Sequence, residues 1–142
     1  MIKVAVVLPA TFADAGEALA DARALEAAGA EMISLEGDGP DRTALLGAIA
    51  LATDRVRLHL SASDPVATLR RLSGGRASTA YADGERWVDA RVPADREAWA
   101  ALLREHEADG VTGIVVPWDP RLIDLLRNPE PDDRSDLLMS TG

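Results

Sequence analysis

The chain contains no cysteine. It therefore forms no disulfide and offers no thiolate to a metal or a substrate, and its redox compartment carries no mark. Histidine is almost as scarce, with His59 and His106 alone. The remaining metal-ligand candidates are carboxylates, and they show no calcium-loop spacing. The stretch REHEADG around His106 lacks the second histidine of a zinc helix motif, so no metal is expected. Long apolar runs are missing as well. None approaches the roughly 20 residues of a membrane-spanning helix, and the N-terminal run in MIKVAVVLPATFADA stops at Pro9, too early for a signal peptide. Positive charge is in deficit, with 15 basic against 24 acidic residues and a formal charge of -9. The basic residues do not cluster, which excludes nucleic acid and anionic membranes as partners. Lys3 is the only lysine. There is no GxxxxGK, and no GxGxxG opens a helix. These absences leave a cytoplasmic globular protein as the expectation.

What the sequence does contain is a regular alternation of short apolar runs and helical stretches over a length of 142 residues, one domain's worth. Ile2 to Leu8 reads as a buried strand. Asp14 then starts a helix, with Glu17 three residues on and Gly29 as the stop. Met32 to Leu35 is a second strand, Pro40 to Thr53 a second helix and Val56 to Leu60 a third strand. Asp64-Pro65 predicts an N-cap followed by a first-turn proline, with Val66, Leu69 and Leu72 as the apolar stripe and Gly74 as the terminator. Ala77 to Tyr81 and Arg86 to Val92 flank Asp83-Gly84, a strong hairpin signal, so an antiparallel pair is expected there. A helix from Asp95 to Ala108 and a strand from Gly113 to Val116 follow. Asp119-Pro120 repeats the cap pattern ahead of a last helix, Leu122 to Leu126. Residues 1–128 form the expected domain and 129–142 an acidic tail, in which Leu137, Leu138 and Met139 are candidates to dock back.

Alternating strands and helices predict an α/β fold with a mainly parallel open sheet and one hairpin. A closed eight-stranded barrel needs at least about 200 residues, so a partial TIM-like barrel fits the length. In such folds ligands bind at the carboxyl ends of the strands. The glycine-rich RRLSGGRAS falls at the opposite end, between a helix and the next strand, and reads as a structural turn.

The segments DRTALLGAIALATDRVRL, DPVATLRRLSGGRAS and ADGVTGIVVPWDPRLIDLLRNP together resemble the luciferase-like family of flavin-dependent or deazaflavin-dependent oxidoreductases. The resemblance covers residues 1 to 80 and 95 to 138. It implies descent from a TIM-like barrel and chemistry on a small organic substrate with reduced FMN or a deazaflavin. The chain departs from the family after LSGGR: STAYADGERW stands where a glycine-bearing strand usually follows, and the middle third of the barrel is missing.

Candidate site residues are those at the carboxyl ends of the strands. Glu36 and Asp38 form an acid/base pair if one of them is buried enough to raise its pKa, and are loop carboxylates otherwise. His59 alternates with Leu58 and Leu60, so it faces the interior of a curved sheet, as an acid/base group or as a satisfied core histidine. Tyr81 joins these as the fourth catalytic candidate. Thr11, Ser61, Ser63 and Trp118 are the candidate cofactor contacts, although the serines lack a nucleophile motif and read equally as backbone partners. His59, Tyr81 and Trp118 would shape the pocket. The alternative is a flavin-free small-molecule-binding or accessory protein, or a cofactor-free enzyme, on the shortened scaffold. An unclosed barrel leaves sheet edges and apolar surface uncovered, so a homodimer is expected, with Trp87 and the Leu137–Met139 segment as its contacts.

Overall fold

The computed structural model describes residues 1–9, 11 and 13–128; the proposed tail contacts Leu137, Leu138 and Met139 lie outside them. Strands and helices follow one another as β1 (Lys3–Leu8), α1 (Ala15–Ala28), β2 (Met32–Leu35), α2 (Pro40–Ala52), β3 (Arg57–His59), α3 (Val66–Leu72), β4 (Ala77–Ser78), β5 (Trp87–Asp89), α4 (Arg96–Ala108), β6 (Gly113–Pro117) and α5 (Leu122–Arg127). All pairings are parallel, in the order β4-β3-β2-β1-β6-β5. The fold is thus α/β with an open, all-parallel sheet. Its order is that of six neighbouring strands of an eight-stranded βα barrel lacking the fifth and sixth, the arrangement of a partial TIM-like barrel.

One parity of residues on each strand builds the core. Val4, Val6 and Leu8 of β1, Ile33 and Leu35 of β2, Leu58 of β3 and Ile114 and Val116 of β6 pack with residues from all five helices, among them Leu25, Leu46, Leu69, Trp99 and Leu122. Each fully buried aliphatic side chain contributes about 1.5–3 kcal/mol. All the helices therefore cover one face, as right-handed crossovers in a single winding direction require. The other face carries the opposite parity, including Lys3, Ala5, Met32, Arg57, His59 and Trp87, and no helix among the described residues lies on it.

The helix ends follow the sequence signals closely. Asp14 accepts hydrogen bonds from the N–H groups of Gly16 and Glu17, and Asp95 from that of Ala98. The LSGGR segment is structural, and its chemistry is specific. Gly74 and Gly75 both have positive φ (64° and 90°). The Gly75 N–H bonds the Arg70 carbonyl and the Gly74 N–H that of Arg71, which closes α3 in a Schellman motif that side chains with a Cβ resist. Arg76 then turns back beneath the sheet. Its guanidinium donates to the carbonyl oxygens of Ala50, Thr53, Val56 and Ser73 and to Thr53 Oγ1, tying the end of α2 to the start of β3. Glu26 acts similarly from α1, accepting from the N–H groups of Asp54, Arg55 and Val56.

Two expectations are corrected. Asp83-Gly84 does form a turn, with Gly84 at φ 80° and the Glu85 N–H bonded to the Ala82 carbonyl at 3.1 Å. The flanking strands are not paired, however. They are β4 and β5, at opposite edges of the sheet and parallel to it. Asp64 is not the N-cap of α3, whose first turn has no side-chain cap. Its carboxylate is buried and instead meets Arg42, with Nε to Oδ1 at 3.0 Å and Nη2 to Oδ2 at 2.8 Å. A bidentate partner with five donors outcompetes a backbone N–H for a carboxylate out of water.

The β4–β5 connection decides what lies on the face without helices. Residues 79–86 must carry the chain past four intervening strands. The Tyr81 ring on His59 of β3 and the Glu85 carboxylate on Lys3 of β1 and Arg57 of β3 place this segment on the interior face as a strap, with the turn at Asp83-Gly84 within it. This explains why Ala5 and Met32, with no helix above them, are nonetheless buried.

Candidate functional site

Aromatic rings and ion pairs hold the strap down. Tyr81 stacks on His59 with ring centroids 4.6 Å apart and planes 13° from parallel, and Trp87 stacks on Tyr81 at 5.6 Å. The Trp87 ring lies over Gly113 of β6, where a Cβ would come within 2.4 Å of it. Only glycine at that position lets the indole lie flat on the sheet. Trp87 is consequently half-buried inside the fold and is not the exposed hairpin contact expected from the sequence.

Glu85 is the polar anchor. Its carboxylate accepts from Arg57 Nη1 and Nη2 at 3.0 and 3.1 Å, Lys3 Nζ at 2.9 Å, Trp87 Nε1 at 3.3 Å and the Ala82 N–H at 3.1 Å. The Arg57 guanidinium, followed by Lys3 and Trp87, holds this carboxyl down at a pKa of about 2. Nothing local in ADGERW signals this role, because the charged partners lie in β1 and β3.

Between the strap and the β3–β4 side of the sheet lies a cavity of about 380 Å³, walled by Met32, Arg57, His59, Ser78, Tyr81 and Ala82 among others. It opens where the fifth and sixth strands of a full barrel would stand. His59 Nδ1 and Arg57 Nε are both shut off from solvent without a hydrogen-bond partner among the described residues. Burial, reinforced by the nearby Arg42 charge, lowers the His59 pKa below its ordinary value. The imidazole is therefore neutral at physiological pH.

The other candidate residues are more dispersed. Glu36 and Asp38 are both exposed in the loop after β2, so the burial that an acid/base pair requires is missing. Ser61 donates its N–H and its hydroxyl to Asp64 Oδ2 and lies 3.0 Å from Ser63 Oγ; both serines belong to the turn that seats the Arg42–Asp64 pair. Arg42 also donates to the Leu35 carbonyl, and its hydrogen bonds keep the Asp64 pKa low. Thr11 and Trp118 do meet, in a separate hollow of about 180 Å³ beside Asp14, Glu17 and Asp21. The sequence reading thus placed His59 and Tyr81 together and missed Arg57 and Glu85.

The helix starts differ in what they present to a phosphate. The helix starts at the carboxyl ends of the strands are where a phosphate would be received. At α1 and α4 the first-turn N–H groups already bond Asp14 and Asp95, and Asp119 takes both the N–H and the guanidinium of Arg121 ahead of α5. The starts of α2 and α3 have no side-chain cap, with Asp41 in the first turn of α2 and no acidic residue in that of α3. Arg42 is consumed by Asp64 and Arg96 by Asp124. In the interior, the rings of His59, Tyr81 and Trp87 stack on one another. The chain matches no family model and no curated protein. Among the described residues no helix is long and apolar enough to cross a membrane, and no group of acidic and histidine side chains is arranged to hold a metal.

Proposed function

We propose that the chain is a cytoplasmic, flavin-free small-molecule-binding protein on a shortened luciferase-like scaffold, with its site on the interior face beneath the strap. One observation carries this reading: the interior face is roofed by eight residues instead of two strands, leaving a cavity of about 380 Å³ lined by Met32, Arg57, His59, Ser78 and Tyr81 among others. Pockets that take small molecules combine apolar walls with a few convergent polar groups. The scaffold is kept for its concave interior, and the carboxylates around the strand ends turn phosphates away.

The luciferase-like oxidoreductase reading is the second one. It is favoured by the strand order of a partial barrel, and it requires FMN or a deazaflavin to bind. Absorbance and fluorescence titration separates the two readings. The flavin-free protein is colourless and binds neither cofactor at tens of micromolar, while members of a small-molecule panel raise its Tm by mass action. Saturable FMN or deazaflavin binding would establish the second reading instead.

The expected homodimer belongs to the same proposal, with its seam moved from Trp87 to the β4 edge. That edge is uncharged (Ala77-Ser78-Thr79-Ala80) and borders the exposed Leu72, whereas β5 is flanked by Arg86, Asp89 and Arg91. Unprotected edges pair and charged ones do not. Static light scattering should give about twice the 15.0 kDa chain mass, and Ser78→Lys should halve it; a monomer at micromolar concentration would refute the seam.

A further inference from the structure

The layer of helices has a gap in it. α5 packs beside α1, and on its other flank Arg96, at the start of α4, bonds Asp124 and the Asn128 carbonyl. It therefore occupies the place between α1 and α4. At about 1.5 Å per residue, the 14 residues of α1 run about 21 Å and the 13 of α4 about 20 Å, whereas the 6 of α5 cover about 9 Å. Where α5 stops, a hollow of about 590 Å³ follows, larger than the cavity beneath the strap. The ends of α1 and α4, the start of β1 and Leu126 of α5 bound it.

The hollow has the surface that a folded chain covers. Ile2, Ala28, Leu103 and Leu126 line it, and the two leucines keep part of their surface exposed. Of its charged lining, Lys3 pairs with Glu31 and Glu107 with the amino group of Met1. Arg104 makes no ion pair among the described residues.

Position and composition decide the occupant. The described chain ends at Asn128, two residues beyond Leu126, and residues 129–142 follow as PEPDDRSDLLMSTG. Pro129 cannot extend α5 and fill the gap as helix. Apart from its prolines and Gly142 the segment has one apolar run, Leu137-Leu138-Met139, preceded by Asp136. Nine residues separate Leu137 from Asn128 and span up to about 30 Å, more than the about 12 Å by which α5 falls short of α1. A tethered segment also acts at an effective concentration in the millimolar range, which a second copy at micromolar concentration does not match. We propose that Leu137-Leu138-Met139 folds back into this hollow of its own chain, completing the helix layer where α5 is too short and bringing Asp136 to Arg104. The hollow lies in the helix layer, on the side of the sheet opposite the strap, so the inference stands independently of the small-molecule reading.

The absence of cysteine makes the test direct. A nitroxide on Ser140→Cys is the only thiol-linked label the full chain can carry, and an amide spectrum unchanged in its reduced form shows that the fold is intact. Should that position disturb the spectrum, Thr141→Cys carries the label instead. The oxidised label should broaden the amide signals of Ala28, Leu103, Arg104 and Leu126, and leave Val66 and Leu72 of α3 at full intensity. Adding Leu137→Asp/Leu138→Asp to the labelled chain should restore the lost intensity. In a mixture of spin-labelled chain with isotope-labelled unmodified chain, nothing should broaden. Full intensity at Leu103, Arg104 and Leu126 in the labelled chain, or broadening that the double substitution leaves in place, would overturn the proposal. Equal broadening in the mixture would place the segment on a second copy and overturn the intramolecular seat.

Discussion

Glu85→Gln isolates the anchor of the strap. The substitution keeps the shape of the side chain and removes the charge that Arg57 and Lys3 share at 2.9–3.1 Å. A carboxyl lowered from 4.5 to about 2 corresponds to about 3 kcal/mol at about 1.4 kcal/mol per unit. Arg57 and Lys3 remain partly exposed, so solvent screening reduces the net effect to about 1–2 kcal/mol. The sign follows from the depressed folded-state pKa. The stabilisation is complete above the unfolded value of 4.5 and is lost as pH falls towards 2, where the folded carboxyl protonates. Urea unfolding followed by tryptophan fluorescence should therefore show the variant about 1–2 kcal/mol less stable at neutral pH. The gap should close on acidification through that window. Equal stability at neutral pH, or a gap that stays constant down to pH about 2, would show that Glu85 does not clamp the strap.

Three further substitutions probe the supports of the site. Gly113→Ala places a methyl group where the Trp87 ring lies; it should cost about 1–3 kcal/mol by overpacking and shift tryptophan emission, and an unchanged spectrum would mean the indole is not on the sheet. Arg42→Met strands a buried Asp64 carboxylate and should cost about 3–5 kcal/mol, much of it regained in the Arg42→Met/Asp64→Leu double variant; thermal melts of the two decide it. Gly74→Ala, at φ 64°, should cost about 1 kcal/mol and leave ligand affinity unchanged, as a purely structural LSGGR turn requires.

Much of the fold was legible because its signals are local. Asp14 and Gly29 bound α1, Asp95 and Gly110 bound α4, and the parity of VRLHL puts Leu58 in the core and His59 on the opposite face. The failures are long-range. Asp83-Gly84 specifies a turn and was read as a hairpin, but a turn does not say which strands it joins, and β4 and β5 end up at opposite edges. Asp64 carries the same local pattern as an N-cap and loses that role to Arg42, 22 residues earlier. Glu85 sits in an ordinary charged loop, and its importance comes from Lys3, 82 residues away. The same limit applies to the site. His59 was identifiable as interior-facing and Tyr81 as a pocket residue, while the strap that stacks one on the other depends on contacts with β1, β3 and β5 that no local signal carries. Gly113 looks like the start of a strand and proves to be a position where a side chain would collide with Trp87.

On the proposed reading, ligand binds on the interior face under the strap and not in the ring of loops at the strand ends. NMR titration of labelled protein with the panel compound that most raises its Tm distinguishes the two places. Saturable shifts are expected at His59, Tyr81, Ala82 and the Met32 methyl, with Thr11, Ser61 and Trp118 unmoved. Saturable shifts confined to Thr11, Ser61 and Trp118, with His59 and Tyr81 silent, would contradict it.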